Sequence, residues 1–264
     1  MIDLFTIATA LLWGLAAAAL GCAIFWLRWI IFPTPTEKSS IDLAMHVSRG
    51  IAVLHALMIA LVLAEAQVDY TRAREELWRE TDLLHKVFYN LTFYETEAAN
   101  EMRLLLVDYT RTLIDTEWAL LAQDRLSPEA SELFQKIFVQ LLQLEASGSG
   151  QSWLRDDIRA GLSELAQLRH NRLFEANNRL PGAFWLSVVL GYVLLCALFS
   201  VYGRSRLNVT LITAFSAFFG TVGYLIFAFH DPFDGHLHVA PQPILMLHEE
   251  VMLPTLLAAE EDPG

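Results

Sequence analysis

The chain has 264 residues, 55% of them hydrophobic, and its 30 acidic and 18 basic side chains give a formal net charge of −12. That balance excludes nucleic acid as a partner, since nothing here neutralises a run of phosphates. The apolar residues are gathered in blocks rather than dispersed at helix or strand periods, which argues against a wholly soluble globule.

Four apolar stretches run from about Leu4 to Phe32, Val47 to Ala64, Ala183 to Tyr202 and Leu207 to Phe229, two on either side of a polar insert. Each is close to or above the roughly 18–20 residues that cross a ~30 Å hydrocarbon core. The expected fold is therefore an all-α membrane protein: four transmembrane helices as two hairpins, with an α-helical extramembrane insert between the second and third. The expected boundaries are a first hairpin over 1–66, an insert over 67–180, a second hairpin over 181–229 and an acidic interfacial tail over 230–264.

The first stretch opens Met-Ile-Asp, without a basic n-region, and is about twice as long as a signal-peptide core, so it reads as a retained helix. It carries Cys22, and the third stretch carries Cys196. The polar insert has no cysteine, so no disulfide framework holds it and cysteine usage does not reveal a redox compartment. Gly14 with Ala18 and Ala17 with Gly21 stand four residues apart, a spacing that lets helix backbones approach closely in lipid. The alternative is the general abundance of alanine and glycine in such helices.

Pro33 and Pro35 end this helix and open a loop from Pro33 to Leu43. His46, Arg49 and His55 interrupt the second stretch. His55 falls near the bilayer centre, where an ionisable group faces a bundle interior or a wet path, making it a pore-facing candidate. The alternative is a neutral histidine bonded to a neighbouring helix. Beyond Ala64 no Gly or Pro stops the helix before about Phe88, so the second span is expected to continue as one charged helix.

A second insert helix is predicted over roughly Glu95 to Gln123. Its face comprises Met102, Leu106, Tyr109, Leu113 and Leu120, with Glu117 at the edge and Trp118 pointing nearly the opposite way. A third starts at Ser127-Pro128-Glu129, a cap, a first-turn proline and an acid at the positive end of the dipole. It ends before the flexible Ser147-Gly148-Ser149-Gly150 break. A fourth runs from about Trp153 to Leu180, with Ile158, Leu162, Leu165, Leu173, Ala176 and Leu180 on its packed face and Pro181-Gly182 at its end. Arg169 sits near the centre of that face and Arg172 on its flank. A charge there needs a partner, so Glu117 is expected to pair with Arg169 or Arg172. The alternative is that the arginines snorkel to water.

After the last span, His236 and His238 with Asp231 or Asp234 have the composition of a metal-ligand cluster without a ligand spacing, and no metal is expected. Pro232, Phe233 and Gly235 suit a turn with an aromatic anchor at headgroup level. There is no Gly-rich phosphate loop, no Gly-x-Ser-x-Gly elbow and no His-Glu-x-x-His, so neither enzyme chemistry nor a cofactor is expected.

Arg28, Lys38, Arg49, Arg204 and Arg206 flank the two short loops. The N-terminal flank has no Lys or Arg, and the tail after Phe229 has none while carrying seven acids. By the positive-inside rule this places the short loops in the cytoplasm, and the insert and both termini on the non-cytoplasmic side of what is expected to be a bacterial inner membrane. Six arginines near the insert's ends pull the other way, with less weight because the insert is long.

The ordered set Tyr109 with Glu117-Trp118, then Arg169, Arg172-Leu173, Ala176, Leu180-Pro181 and Trp185, then Asp231-Pro232-Phe233-x-Gly235 with Val239 and Pro241, resembles the bacterial bestrophin-like domain family. With the span layout, the resemblance covers most of the chain. It departs at Ala119, where the family often has a proline after the Glu-Trp pair. The name implies a likeness to bestrophins, pentameric anion channels with a polar helical region between two span pairs, and that likeness puts the insert in the cytoplasm. No bestrophin pore motif or calcium-binding acidic cluster matches residue by residue. Two functions follow as expectations: a homo-oligomeric ion channel or channel-like pore in the lipid bilayer, passing inorganic ions, or a non-conducting scaffold or sensor whose insert binds a partner protein, with Trp118 as anchor beside Leu104 and Val107.

Overall fold

The apolar blocks become helices because a spanning segment must satisfy its backbone polar groups internally. The computed structural model describes residues 4–94, 96–123, 125–177, 182–234 and 237–261, and every regular element among them is helical. In chain order these are α1 (Leu4–Ile31), α2 (Lys38–Thr92), α3 (Glu97–Thr112), a π turn (Leu113–Glu117), α4 (Trp118–Leu121), α5 (Pro128–Leu141), α6 (Ser149–Asn177), α7 (Gly182–Phe199), α8 (Arg206–His230), α9 (Gln242–Leu247), a second π turn (His248–Met252) and α10 (Leu253–Glu261). Helices α1, α2, α7 and α8 are each long and apolar enough to cross a membrane. The chain divides into a unit of residues 1–68 and 180–230 and a unit of 69–179 and 231–264.

In the first unit α1 packs antiparallel along α8. Phe25 and Trp29 meet Ile212 at one end. Cys22 Sγ lies 3.2 Å from Thr213 Oγ1, and Trp13 stacks on Phe227, centroids 5.3 Å apart, at the other end. Between them the backbones come close enough that a Cβ at Gly220 would overlap the Trp13 carbonyl, and one at Gly21 would overlap Ser216. The small residues of the first stretch are thus used inside the chain: Gly14 and Ala17 face α8, and the Ala17 carbonyl accepts from Tyr192 Oη at 2.6 Å. Most other apolar side chains on these helices are exposed, Leu11, Leu54, Leu61, Leu186 and Phe218 among them.

The loop after α1 is shorter than its sequence implies. Beyond Pro35 no residue opposes helix, and α2 begins at Lys38 rather than after Leu43.

The second unit is built on one core drawn from the later part of α2 (Leu84, Val87, Leu91), α3 (Met102, Leu106, Tyr109), α5 (Phe134, Ile137) and α6 (Ile158, Leu162, Leu165). Ser127 caps α5 by accepting the Ala130 N–H at 3.2 Å, with Pro128 in its first turn. The Ser147–Gly150 break is only half a break. Gln151 Oε1 accepts the Ser147 N–H at 2.9 Å, and α6 starts at Ser149.

The segment read as an interfacial tail packs into this same core, where Val239, Ile244, Leu247 and Met252 are buried. These apolar residues lie three to five apart, enough for a short helix to cover a groove.

Candidate functional site

The sequence-predicted residues Glu117, Arg169 and Arg172 come together in the second unit. Glu117 is fully buried. Its Oε1 accepts from Arg172 Nη2 at 2.5 Å, and its Oε2 accepts from Arg169 Nη2 at 3.0 Å and from the Ser127 N–H at 3.3 Å. Arg169 also donates to Ser131 Oγ at 2.8 Å. Arg172 reaches a second buried carboxylate, Glu80 of α2, through Nη1. Two guanidiniums against two carboxylates leave the cluster neutral, the condition under which buried charges are tolerated.

Aromatic rings close it in. The Arg172 guanidinium lies 5.4 Å from the Trp118 ring centroid, and that of Arg169 lies 5.7 Å from Phe134 and 6.0 Å from Tyr109. Burial pushes the Glu80 carboxyl above its usual range, with Arg172 opposing. Burial also raises the Tyr109 phenol, assisted by the Glu80 charge. For Arg172 burial works against the charge, and Glu80, Tyr109 and Glu117 more than offset it, so the guanidinium stays charged. These groups do not assemble a nucleophile with a base; what they do is hold α2, the first π turn, α5 and α6 in one register.

The π turn explains where helical arithmetic fails. Its closing bond runs from the Trp118 N–H to the Leu113 carbonyl, five residues back instead of four. Everything after it is turned by about one residue, roughly 100°. Trp118, expected opposite the apolar face, is therefore buried on it, and Leu121 rather than Leu120 completes the face. Trp118 donates from Nε1 to the Val239 carbonyl at 2.8 Å and meets the Phe233 ring edge-on, so it is not an exposed anchor. Of its expected neighbours, Val107 is buried and Leu104 half exposed.

Of the other motif residues, Phe233 and Val239 contact this tryptophan. Asp231 Oδ1 accepts the N–H groups of Phe233 and Asp234 at 3.0 and 3.2 Å, and the Pro232 carbonyl accepts from the Val239 N–H at 2.7 Å. Pro241 precedes α9, and Leu173 is half-buried on α6. Pro181, Gly235, His236 and the side chain of Ala176 lie outside the described residues.

Sequence reasoning missed Glu80. The signal was there: Leu77, Glu80, Leu84, Val87 and Leu91 recur at spacings of three and four on α2, all buried. It also missed His248, in the second π turn, whose Nδ1 lies 2.8 Å from Thr110 Oγ1. Thr110 gives its own proton to the Val107 carbonyl, so the histidine is the donor.

In the first unit His55 is buried within the chain. It stacks on Phe219 with centroids 5.5 Å apart, and Gly191 leaves room for its ring, since a Cβ there would overlap it.

The family model described as Bestrophin-like domain matches residues 15–244. Among solved structures, a single-site variant of a bacterial bestrophin homologue from Klebsiella pneumoniae superposes with a TM-score of 0.66 at 16% identity, covering 95% of this chain and 98% of that one. Another structure of a bestrophin homologue from the same organism gives 0.64 at 15% identity, covering 94% and 97%. At such identities the likeness shows the fold alone. No curated protein matches the chain.

Proposed function

Because this chain belongs to the bestrophin-like family, we propose that it works as an oligomeric ion channel or channel-like pore. The observation that carries this reading is the family match over residues 15–244 on an integral membrane chain with four apolar helices. The most apolar windows of those helices bury at most 33% of their residues within one chain, which leaves lateral surface for lipid and for further copies. In this reading the spans form two hairpins and residues 67–180 form an extramembrane collar. His55, stacked on Phe219, is the pore candidate among the spans.

The net charge of −12 favours cations at any entrance the acidic residues line, whereas the likeness to bestrophins favours anions. Recordings of the purified protein in planar bilayers decide both points. Unitary currents are expected, their reversal potential in a salt gradient gives the sign of the ion, and His55→Ala alters their pH dependence. Silence across ions, voltages and pH removes the proposal.

A second reading, a non-conducting scaffold, is favoured by one feature. A groove of about 670 Å³ between α3 and α5 exposes Leu104 and Val139 beside Glu101, Asp108 and Glu132. The Lys and Arg distribution further supports the insert and both termini lying on the non-cytoplasmic face. Protease added to spheroplasts is then expected to cut near residues 147–151, and protection there reverses the orientation.

A further inference from the structure

Among the described residues, ion pairs are confined to the second unit, where all nine lie between Asp69 and Arg172. In the first unit Arg28, Lys38, Arg204 and Arg206, at the end where α1 stops and α2 and α8 start, have no carboxylate at ion-pairing distance among the described residues. Arg28 spends its donors on Thr36 and on the carbonyls of Phe32 and Thr34. Arg204 makes no hydrogen bond there; its guanidinium rests on aromatic faces, 5.2 Å from the Trp26 centroid and 4.9 Å from that of Trp29. Arg206, in the first turn of α8, is exposed.

Beside these cations is an apolar cavity of about 310 Å³ between α7 and α8, lined by Phe199, Tyr202, Asn208, Leu211, Ile212 and Phe215. It adjoins the place where Arg204 rests, because Ile212 and Phe199 also pack with Phe25 and Trp29. Its lining residue Leu211 is exposed. The cavity's only polar edge, Tyr202 and Asn208, lies next to the arginine-bearing loop. Asn208 Nδ2 is spent on the Gly203 carbonyl at 2.7 Å. An apolar slot inside a span pair, ending at unpaired guanidiniums among Trp and Tyr, is the complement of one kind of molecule: an acyl chain that ends in an anion at headgroup depth.

We infer that this end of the first unit binds an anionic phospholipid, with one acyl chain between α7 and α8 and its phosphate on Arg204 and Arg206. The volume suits a segment of one chain and not a whole lipid, so the rest of the molecule stays in the bilayer. The site does not depend on whether the protein conducts.

The test is retention of lipid by the purified full-length protein after incubation in mixed micelles of equal phosphatidylglycerol and phosphatidylcholine, read by native mass spectrometry. The wild type is expected to keep phosphatidylglycerol preferentially. The double variant Arg204→Gln/Arg206→Gln is expected to lose that preference by roughly tenfold, with its melting temperature and oligomer mass unchanged. Leu211→Trp, which fills the slot from the lipid side, is expected to reduce retention of both lipids, while glycerol phosphate shifts the melting of no variant.

Equal retention of the two lipids by the wild type overturns the inference, as does undiminished phosphatidylglycerol in the double variant. So does a changed oligomer mass with unchanged lipid in Leu211→Trp, which would mean that a second copy of the chain covers the slot.

Discussion

Glu117 holds its place through three donors, and removing it takes an acceptor from each. Glu117→Ala leaves Arg169 and Arg172 buried with only Glu80 for charge, and breaking a buried pair from one side costs about 3–5 kcal/mol. A double-mutant cycle with Arg169→Ala, followed by thermal unfolding, is expected to show a coupling of about 1–3 kcal/mol. Effects that add within about 0.5 kcal/mol would mean the contact does not act as a pair. The residue types were legible in advance, because a charge on an apolar helical face must find a counter-charge. Which arginine it finds was not legible: Glu117 takes both, one on each carboxylate oxygen, and spacing along one helix says nothing about the rotamers of another. Glu80 escaped notice because the polar half of α2 looks solvated until α6 covers it.

Among elements, the two π turns matter most, since each re-aims the chain after it. The first turns Trp118 inward to receive the C-terminal segment. The second places His248 against Thr110 of α3. Burial lowers the His248 pKa, with Arg111 reinforcing and Glu249, Asp115 and Asp108 opposing. A base whose folded value is depressed takes up its proton more readily in the unfolded chain. Its stabilising contribution is therefore present above the ordinary value of 6.5 and is lost as pH falls through the lower folded value. The melting temperature of the wild type is expected to drop between pH 7.5 and 5 more steeply than that of His248→Asn, whose amide keeps a donor near the Nδ1 position. Parallel curves would show that His248 does not carry the effect. Neither π turn was visible beforehand, because 3.6-residue periodicity assumes the bond pattern that a π turn breaks.

At the scale of the whole molecule, four apolar helices and a polar helical unit are joined through α2, a single helix of 55 residues. In the proposed pore, conduction belongs to a ring of chains. The recordings should then accompany a detergent particle of several times 29.8 kDa, and a particle of one chain that stays silent favours the scaffold. The sequence by itself determined that this is an all-helical membrane chain of bestrophin-like pattern, because block hydropathy is a one-dimensional quantity set by the thickness of lipid. It also determined where α5 starts, because a cap is chemistry within four residues. Only the tertiary structure decided that Gly14, Ala17 and Gly21 serve α8 within the chain, that Trp118 is buried, that residues 237–261 help build the core of the second unit, and that His55 is enclosed by its own helices. Each of those depends on which surfaces meet across many residues of chain, and burial is a property of the pair of surfaces, not of either alone.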